Sequence, residues 1–318
     1  MKHPRISNIN INFDSLGWAL QRDPREFDDP TFFTVADRFL DLADRYDFRY
    51  TIFLIGKDLE NPAVAKVVKE WQDRGHEIGN HSYHHKPGFG ALSYDETRAE
   101  VMASHAAITS ACKKDPVGFI APGWAISKNL IRILIENHYR YDTSLFPSWF
   151  MYIAQAKFVW NFRNDARKYE ILKRSDYAAN LLGSSRPFFT DGNSLYSSQD
   201  HGRLLILPLP ATRFLKIPCW HTMKFLLPSP VYSHALDRTL DREYFYYLVH
   251  PTDLMDLNDV PPEYREKAKV LERMEVPLSV KSGMMEKTIS AIVKRSSRMM
   301  TLSEISDRIF SGREGRKG

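Results

Sequence analysis

The chain has 318 residues, 43% of them hydrophobic and 26% charged, a globular composition that excludes collagen-like, coiled-coil and disordered classes. Lys and Arg outnumber Asp and Glu by 44 to 39, for a net charge of +5. That bias suits an anionic substrate or membrane surface and is too diffuse to argue for nucleic acid.

Two cysteines, Cys112 and Cys219, make neither a disulfide framework nor a Cys-x-x-Cys pair, which points to a reducing compartment. The opening Met-Lys-His-Pro-Arg leads straight into a strand-like stretch, without the apolar run and small-residue cleavage site of a secretory signal. Apolar runs fall well short of the roughly 18 residues of a membrane helix. The expectation is a cytoplasmic protein, with peripheral contact at the inner face of the membrane left open.

In chain order, Ile6–Phe13 reads as a strand and Phe32–Tyr46 as an amphipathic helix through Val35, Phe39, Leu42 and Ala43. Thr51–Ile55 is a short buried strand. Pro62 then opens a helix over Ala63–Arg74, a favoured place for proline, and Gly75 ends it. His76–Asn80 is a third strand. Ser93 and Glu96 have capping-box spacing for a long helix reaching about Lys113. Val117–Ala121 is a fourth strand, and Ser127 can cap a helix over Asn129–Asn137. Strands alternating with helices imply a parallel sheet.

After Pro147 the rhythm breaks, and about 150–203 reads as an insertion. Strands return at Leu204–Leu209 and Tyr244–Val249, followed by helices that include Met284–Lys294 and Ser303–Phe310 and a frayed charged end at Gly312–Gly318. The fold class is α/β and barrel-like: residues 1–260 form the barrel with its insertion, and residues 261–318 form a helical cap and tail.

The densest chemistry lies in Gly75-His76-Glu77-Ile78-Gly79-Asn80-His81-Ser82-Tyr83-His84-His85. His81 and His85, four apart after a strand, can aim two imidazoles at one point through a helical turn or a tight loop. Exposed loop histidines would show the same spacing. Asp14 ends the first strand, and parallel strands open their C-terminal ends on one face, so Asp14 would meet the two histidines there. One aspartate and two histidines leave open positions on a divalent ion, a catalytic rather than a structural coordination. A helix-capping Asp14 is the competing reading.

The ordered set of strand–Asp14, G-H-E-I-G-N-H-S-Y-H-H, G-F-I-A-P-G-W, Y-D-T-S-L and L-V-H-P resembles the polysaccharide deacetylases, carbohydrate esterase family 4, from about Ile6 to Pro251. M-T-L-S-E-I-S-D-R-I near the end is similar to a closing pattern of that domain. The resemblance implies a distorted (β/α) barrel and metal-assisted hydrolysis of an N-acyl amide, usually on an amino sugar. It implies Asp14, His81 and His85 as metal ligands, with zinc the expected ion, and His250 as the general acid. Pro122, Gly123, Trp124 and Asp142 become candidate substrate contacts, although Trp124 could equally pack in the core and Asp142 could simply brace its loop.

Two departures from the family pattern stand out. Many members carry Asp-x-Asp at the first motif, the first aspartate acting as base; here the stretch is Asn12-Phe13-Asp14, so an amide sits at the base position. A register with Asp14 as base would make Ser15 the ligand, and neutral serine is a poor one. Ile120 stands where many members have an arginine that holds the base carboxylate, a consistent second loss.

A-P-G-W and N-F-D-S-L are similar to the branch that deformylates lipid-linked 4-formamido-arabinose. The mixture of aromatic, aliphatic and basic residues in Phe214–Leu227 would suit a membrane interface or a core-packing loop. The sequence therefore leads to an intracellular N-deacetylase or deformylase acting on a nucleotide-linked, lipid-linked or glycan amino sugar in envelope or surface-polysaccharide biosynthesis. A catalytically impaired carbohydrate-binding or assembly protein, and a small-molecule amidohydrolase, are the alternatives. No P-loop or nucleic-acid motif appears.

Overall fold

The computed structural model describes residues 5–153, 156, 177–195, 198–199 and 201–314. Much of the expected insertion, and the last residues of the tail, lie outside them.

The strand β1 (Ile6–Phe13) organises the molecule. Its residues alternate by the two-residue period of a strand: Ile9, Ile11 and Phe13 face a helix-packed outer core, and Asn8, Asn10 and Asn12 take the other face, all buried. β2 (Tyr50–Leu54) lies parallel to β1 on one side, with Asn12 opposite Phe53, and β8 (Tyr244–Val249) lies parallel on the other, with Ile11 opposite Val249. Beyond β2 the sheet continues through β3 (Glu77–Asn80), β4 (Gly118–Phe119), β5 (Tyr141–Asp142) and β7 (Leu204–Ile206), and ends at β6 (Phe188–Thr190), which is antiparallel to β7.

The sheet curls into an open half-barrel. Its inward side chains, among them Phe53, Ile120, Tyr141, Leu205, Tyr246 and Leu248, meet in one buried cluster, and the Tyr246 hydroxyl donates to the Leu207 carbonyl across the gap between the sheet's ends at 3.2 Å.

The crossover segments follow from local sequence. After the short helix α1 (Leu16–Ala19), α2 (Ala36–Arg45) is entered through a π-helical turn, Thr31–Val35, rather than as one helix from Phe32. Asp29 fixes that entry by accepting from the Thr31 N–H at 2.9 Å and from the Thr31 hydroxyl. α3 (Pro62–Asp73) is capped by the Asn61 side chain, and its Trp71 stacks parallel to Phe32 at 6.0 Å. α4 (Tyr94–Cys112) begins with the full Ser93–Glu96 capping box, and α5 (Lys128–Glu136) begins at Ser127, whose hydroxyl accepts from the Leu130 N–H.

The C-terminal segment closes the end of the barrel where the strands begin. β9 (Arg298–Met299) adds to β1. The helix Leu302–Glu314 starts with its Leu302 N–H on the Thr51 hydroxyl and its Ser303 N–H on the Glu77 carboxyl, both at 2.9 Å. Glu77 also receives the Tyr141 hydroxyl at 2.7 Å. The glutamate in G-H-E-I-G-N-H therefore serves the bottom of the barrel, and the histidines that follow serve the top.

Candidate metal centre and active site

Three parallel strands deliver the polar groups. Asp14 follows β1, His81 follows β3 and His250 follows β8, so all three emerge at one end of the sheet, as strand-end sites do. The loop from His81 to His85 is a tight turn. Ser82 and His85 take left-handed backbone angles, φ 63° and 49°, each a local cost of about 1–3 kcal/mol that surrounding bonds must hold. Ser82 N–H donates to Asn80 Oδ1 at 2.9 Å, His85 N–H to Ser82 Oγ at 3.1 Å, and Gly56 N–H to the Ser82 carbonyl at 2.9 Å. Asn80 is anchored in turn to the Val101 carbonyl and the Tyr139 hydroxyl.

The result is convergence. His81 Nε2 lies 3.3 Å and His85 Nε2 3.4 Å from Asp14 Oδ1. His250 Nε2 lies 4.0 Å from Asp14 Oδ2. Among the described residues, Asp14, His81 and His85 form the one group whose ligand atoms cluster closely enough to hold a metal ion.

Protonation supports that fit. His81 Nδ1 donates to the Ile120 carbonyl at 2.7 Å, which turns Nε2 toward the carboxylate. Burial, above all, lowers the pKa of His85 to about 4, keeping it neutral at pH 7. Burial would raise the Asp14 carboxyl, but His85, His81 and His250 together hold it well below the usual carboxylate range. A neutral His85 imidazole beside an ionised Asp14 carboxylate matches the protonation states a metal site requires. Ligand atoms of a tetrahedral zinc site with bonds of about 2.0–2.1 Å stand about 3.3–3.4 Å apart, as Asp14 does from both rings. The donor set fits a zinc-type ion.

These groups lie at a cavity of about 420 Å³ walled by Trp18, Trp124 and Trp220. Trp18 meets the His85 ring edge-on at 4.1 Å, Trp220 meets His250 at 5.6 Å, and Trp124 meets Trp220 at 4.4 Å. Asn12 is buried at the same cavity, and its Oδ1 has no hydrogen-bond partner among the described residues. His250 is held from behind: its backbone N–H donates to Asp253 Oδ2 at 2.9 Å, and Arg273 pairs with Asp253 Oδ1 at 3.0 Å. Burial lowers the His250 pKa, partly countered by Asp14 and Asp253.

Of the expected substrate contacts, Gly123 and Trp124 line the cavity; Pro122 and Asp142 do not. Pro122 is buried and opens the turn that presents Gly123 and Trp124. Asp142 is fully buried and takes the bracing alternative. It accepts from the Ser144 hydroxyl at 2.5 Å and the Ser144 N–H at 3.0 Å, and Ser144 Oγ in turn accepts from the Ala121 N–H at 2.8 Å. Burial lifts its pKa to about 7. His84 turns away from the centre onto Glu100 at 2.8 Å.

Sequence reasoning missed Trp18, Trp220, Thr222, Thr252 and Arg273 as cavity residues. Asp253 could have been found from the His250-Pro-Thr-Asp253 spacing, which forms a capping box. Arg273 gave no signal: it reaches the cavity from a left-handed backbone position, φ 67°, in an irregular segment.

Residues 26–141 match the family model described as polysaccharide deacetylase. A peptidoglycan deacetylase of Helicobacter pylori is 30% identical over 108 residues, 34% of this chain and 36% of that protein. A peptidoglycan-N-acetylglucosamine deacetylase of Bacillus cereus is 26% identical over 113 residues, 36% of this chain and 40% of that protein. The chain thus aligns with well under half the length of these curated relatives. Among solved structures, a provisionally assigned polysaccharide deacetylase of Mycobacterium smegmatis superposes with a TM-score of 0.59 at 14% identity, covering 98% of this chain and 92% of that one. A probable polysaccharide deacetylase of Pseudomonas aeruginosa PAO1 gives 0.56 at 12% identity, over 96% and 90%. The fold is that of these deacetylases, and residues 26–141 are similar in sequence to the polysaccharide deacetylase family.

Proposed function

We propose that this chain is a metal-dependent hydrolase that removes an acetyl or formyl group from the nitrogen of an amino sugar. The observation that carries the reading is the convergence of Asp14, His81, His85 and His250 in one tryptophan-walled cavity at the strand ends.

Asp14, His81 and His85 would hold the ion, zinc being the one their donor chemistry suits best. Bound there, it would supply Lewis acidity toward the amide carbonyl, worth several kcal/mol of transition-state stabilisation. His250, neutral and hydrogen-bonded through its backbone to Asp253, would receive the proton that the attacking water gives up and return it to the amine nitrogen as the C–N bond breaks. The flat faces of Trp18, Trp124 and Trp220 suit the apolar faces of a pyranose ring and exclude water. Asn12 can orient a water through its amide but cannot accept a proton at neutral pH.

That last point favours a second reading. A chain with the metal ligands in place and an amide at the base position turns over slowly, and its role would then be carbohydrate binding or assembly.

For the biological setting we propose cytoplasmic synthesis of an envelope or surface polysaccharide. A-P-G-W and the absence of the family's arginine at Ile120 support the formamido-sugar branch. No helix among the described residues is long and apolar enough to cross a membrane, so contact with a lipid-linked substrate would be peripheral.

The test is release of free amine and of acetate or formate from a panel of N-acetyl and N-formyl amino sugars, offered free, nucleotide-linked and lipid-linked to zinc-loaded protein. Release from one acyl class identifies the substrate. No release from any, with metal bound, favours the binding reading.

A further inference from the structure

A second cavity, of about 490 Å³, shares no lining residue with the strand-end site. Four arginines line it: Arg186, Arg213, Arg238 and Arg242. They come from different parts of the chain. Arg186 precedes β6. Arg213 lies in the loop pinned at its base by the Ala211–Pro218 bridge. Arg238 lies in the last turn of the helix Ser229–Leu240, and Arg242 just beyond it. His234, one turn before Arg238 on that helix, lines the same space.

Among the described residues no carboxylate neutralises this cluster. The single carboxylate in the lining, Asp241, is engaged elsewhere, 3.1 Å from Arg5 and 3.0 Å from Arg295. Among the described residues none of the four arginines has a carboxylate partner. Arg242 is partly withdrawn from water and meets only neutral acceptors, donating to the Ser185 carbonyl at 2.5 Å and to that of Ala211. Burial and the nearby Arg186 both push its pKa down. Like charges gathered in a partly desolvated pocket repel one another, and an anion placed among them removes that cost.

We propose that this cavity is a phosphoryl-anion site, in which the guanidinium groups of Arg186, Arg213, Arg238 and Arg242 receive a phosphate or diphosphate ester. The planar guanidinium fork matches two phosphate oxygens at once, and four of them around one space exceed what a carboxylate can use. The rim adds apolar surface. Phe214 is 88% exposed and carries the Arg213 guanidinium over its ring at 5.5 Å, and Leu215 next to it is largely exposed. Lys216 ties the two rim segments together by donating to the carbonyls of Leu181 and Gly183 at 2.6 and 3.2 Å. The loop that supplies Arg213 runs on to Trp220 and Thr222 of the strand-end cavity. The site stands whether or not the chain is a fast enzyme.

The phosphoryl group could come from a soluble ester or from a lipid headgroup, and two probes separate these sources. Inorganic pyrophosphate is titrated calorimetrically into the full chain. In parallel, the chain is sedimented with phosphatidylcholine vesicles with and without phosphatidic acid. Binding of pyrophosphate, or sedimentation only with phosphatidic acid, is expected, and Arg213→Gln and Arg238→Gln, both exposed and unpaired, should each weaken it by about tenfold or more. Lys66→Gln, an equal charge change on α3, should leave it within about twofold. A signal from pyrophosphate assigns the soluble source, and a signal only from phosphatidic acid assigns the lipid. Failure of both probes at millimolar phosphoryl concentration would overturn the site. So would binding that survives both arginine variants, or that Lys66→Gln weakens as much.

Discussion

His81 Nε2 faces Asp14 Oδ1 at 3.3 Å while the other ring nitrogen of His81 is committed to the Ile120 carbonyl. The side that faces the carboxylate is therefore a lone pair unless a proton or a metal ion intervenes. Purified protein should bind about one zinc-type ion, and His81→Ala or His85→Ala should remove it, as measured by metal analysis after dialysis. Because the ion binds the folded site, zinc at 100-fold above its dissociation constant should add about 2.7 kcal/mol of stability. A wild-type melting temperature indifferent to both zinc and chelator would count against the site.

His250 is positioned by its neighbours. Asp253 accepts its backbone N–H and is itself buried against Arg273. His250→Ala should lower turnover by roughly 10²–10⁴-fold, the usual worth of a general acid, with metal content unchanged because its ring is not among the three closest ligands. Loss of metal along with activity would move His250 into the ligand set.

Ser144 ties the end of β5 to the turn that reaches the cavity, through Asp142 Oδ1 and the Ala121 N–H. Ser144→Ala strands both groups in a dry interior, and the usual cost of an unmet buried polar group is about 1–3 kcal/mol. Since the Ala121 turn presents Gly123 and Trp124, KM should rise more than kcat falls. Unchanged denaturant midpoint and KM would show that the loop is held by other means.

His76 sets a pH dependence of stability. Its Nδ1 accepts the Tyr50 N–H at 3.0 Å, and burial, reinforced by Arg49 and Arg74, lowers its pKa to about 4. A histidine lowered in the folded state favours folding above its unfolded value near 6.5. That contribution is lost as pH falls through 6.5 toward 4, because the unfolded chain takes the proton first. At about 1.4 kcal/mol per unit, stability should drop by about 2–3 kcal/mol over that window. His76→Asn keeps an acceptor and should flatten the slope; an unchanged slope would assign it to other groups.

Much of this was legible because local rules and global fold agree. Ser93 with Glu96, Ser127 and Pro62 marked helix starts that the structure keeps, and Tyr244–Val249 led to His250 without a shift. The turn at Thr31–Val35 was read as ordinary helix because periodicity cannot see Asp29 pulling the entry into shape. Asp142 reads two ways from sequence for a related reason: a strand-end carboxylate looks equally like a cavity residue and a loop brace until Ser144 is seen folding back over it. Trp18, Trp220 and Arg273 converge from segments far apart in the chain, and no spacing in a single sequence encodes such a meeting.

The central claim, a hydrolytic metal centre weakened at its base position, is tested most directly at Asn12. Asn12 is buried at the cavity with an Oδ1 that has no hydrogen-bond partner among the described residues, and aspartate is nearly its isostere. Amine release from the best N-acyl amino sugar is to be measured for zinc-loaded wild type, Asn12→Asp and His81→Ala under identical conditions. Wild type should release amine slowly, Asn12→Asp should raise the rate by up to roughly 10²–10⁴-fold, and His81→Ala should release none. Fast wild-type turnover that Asn12→Asp does not raise, or release that survives His81→Ala, would contradict the claim.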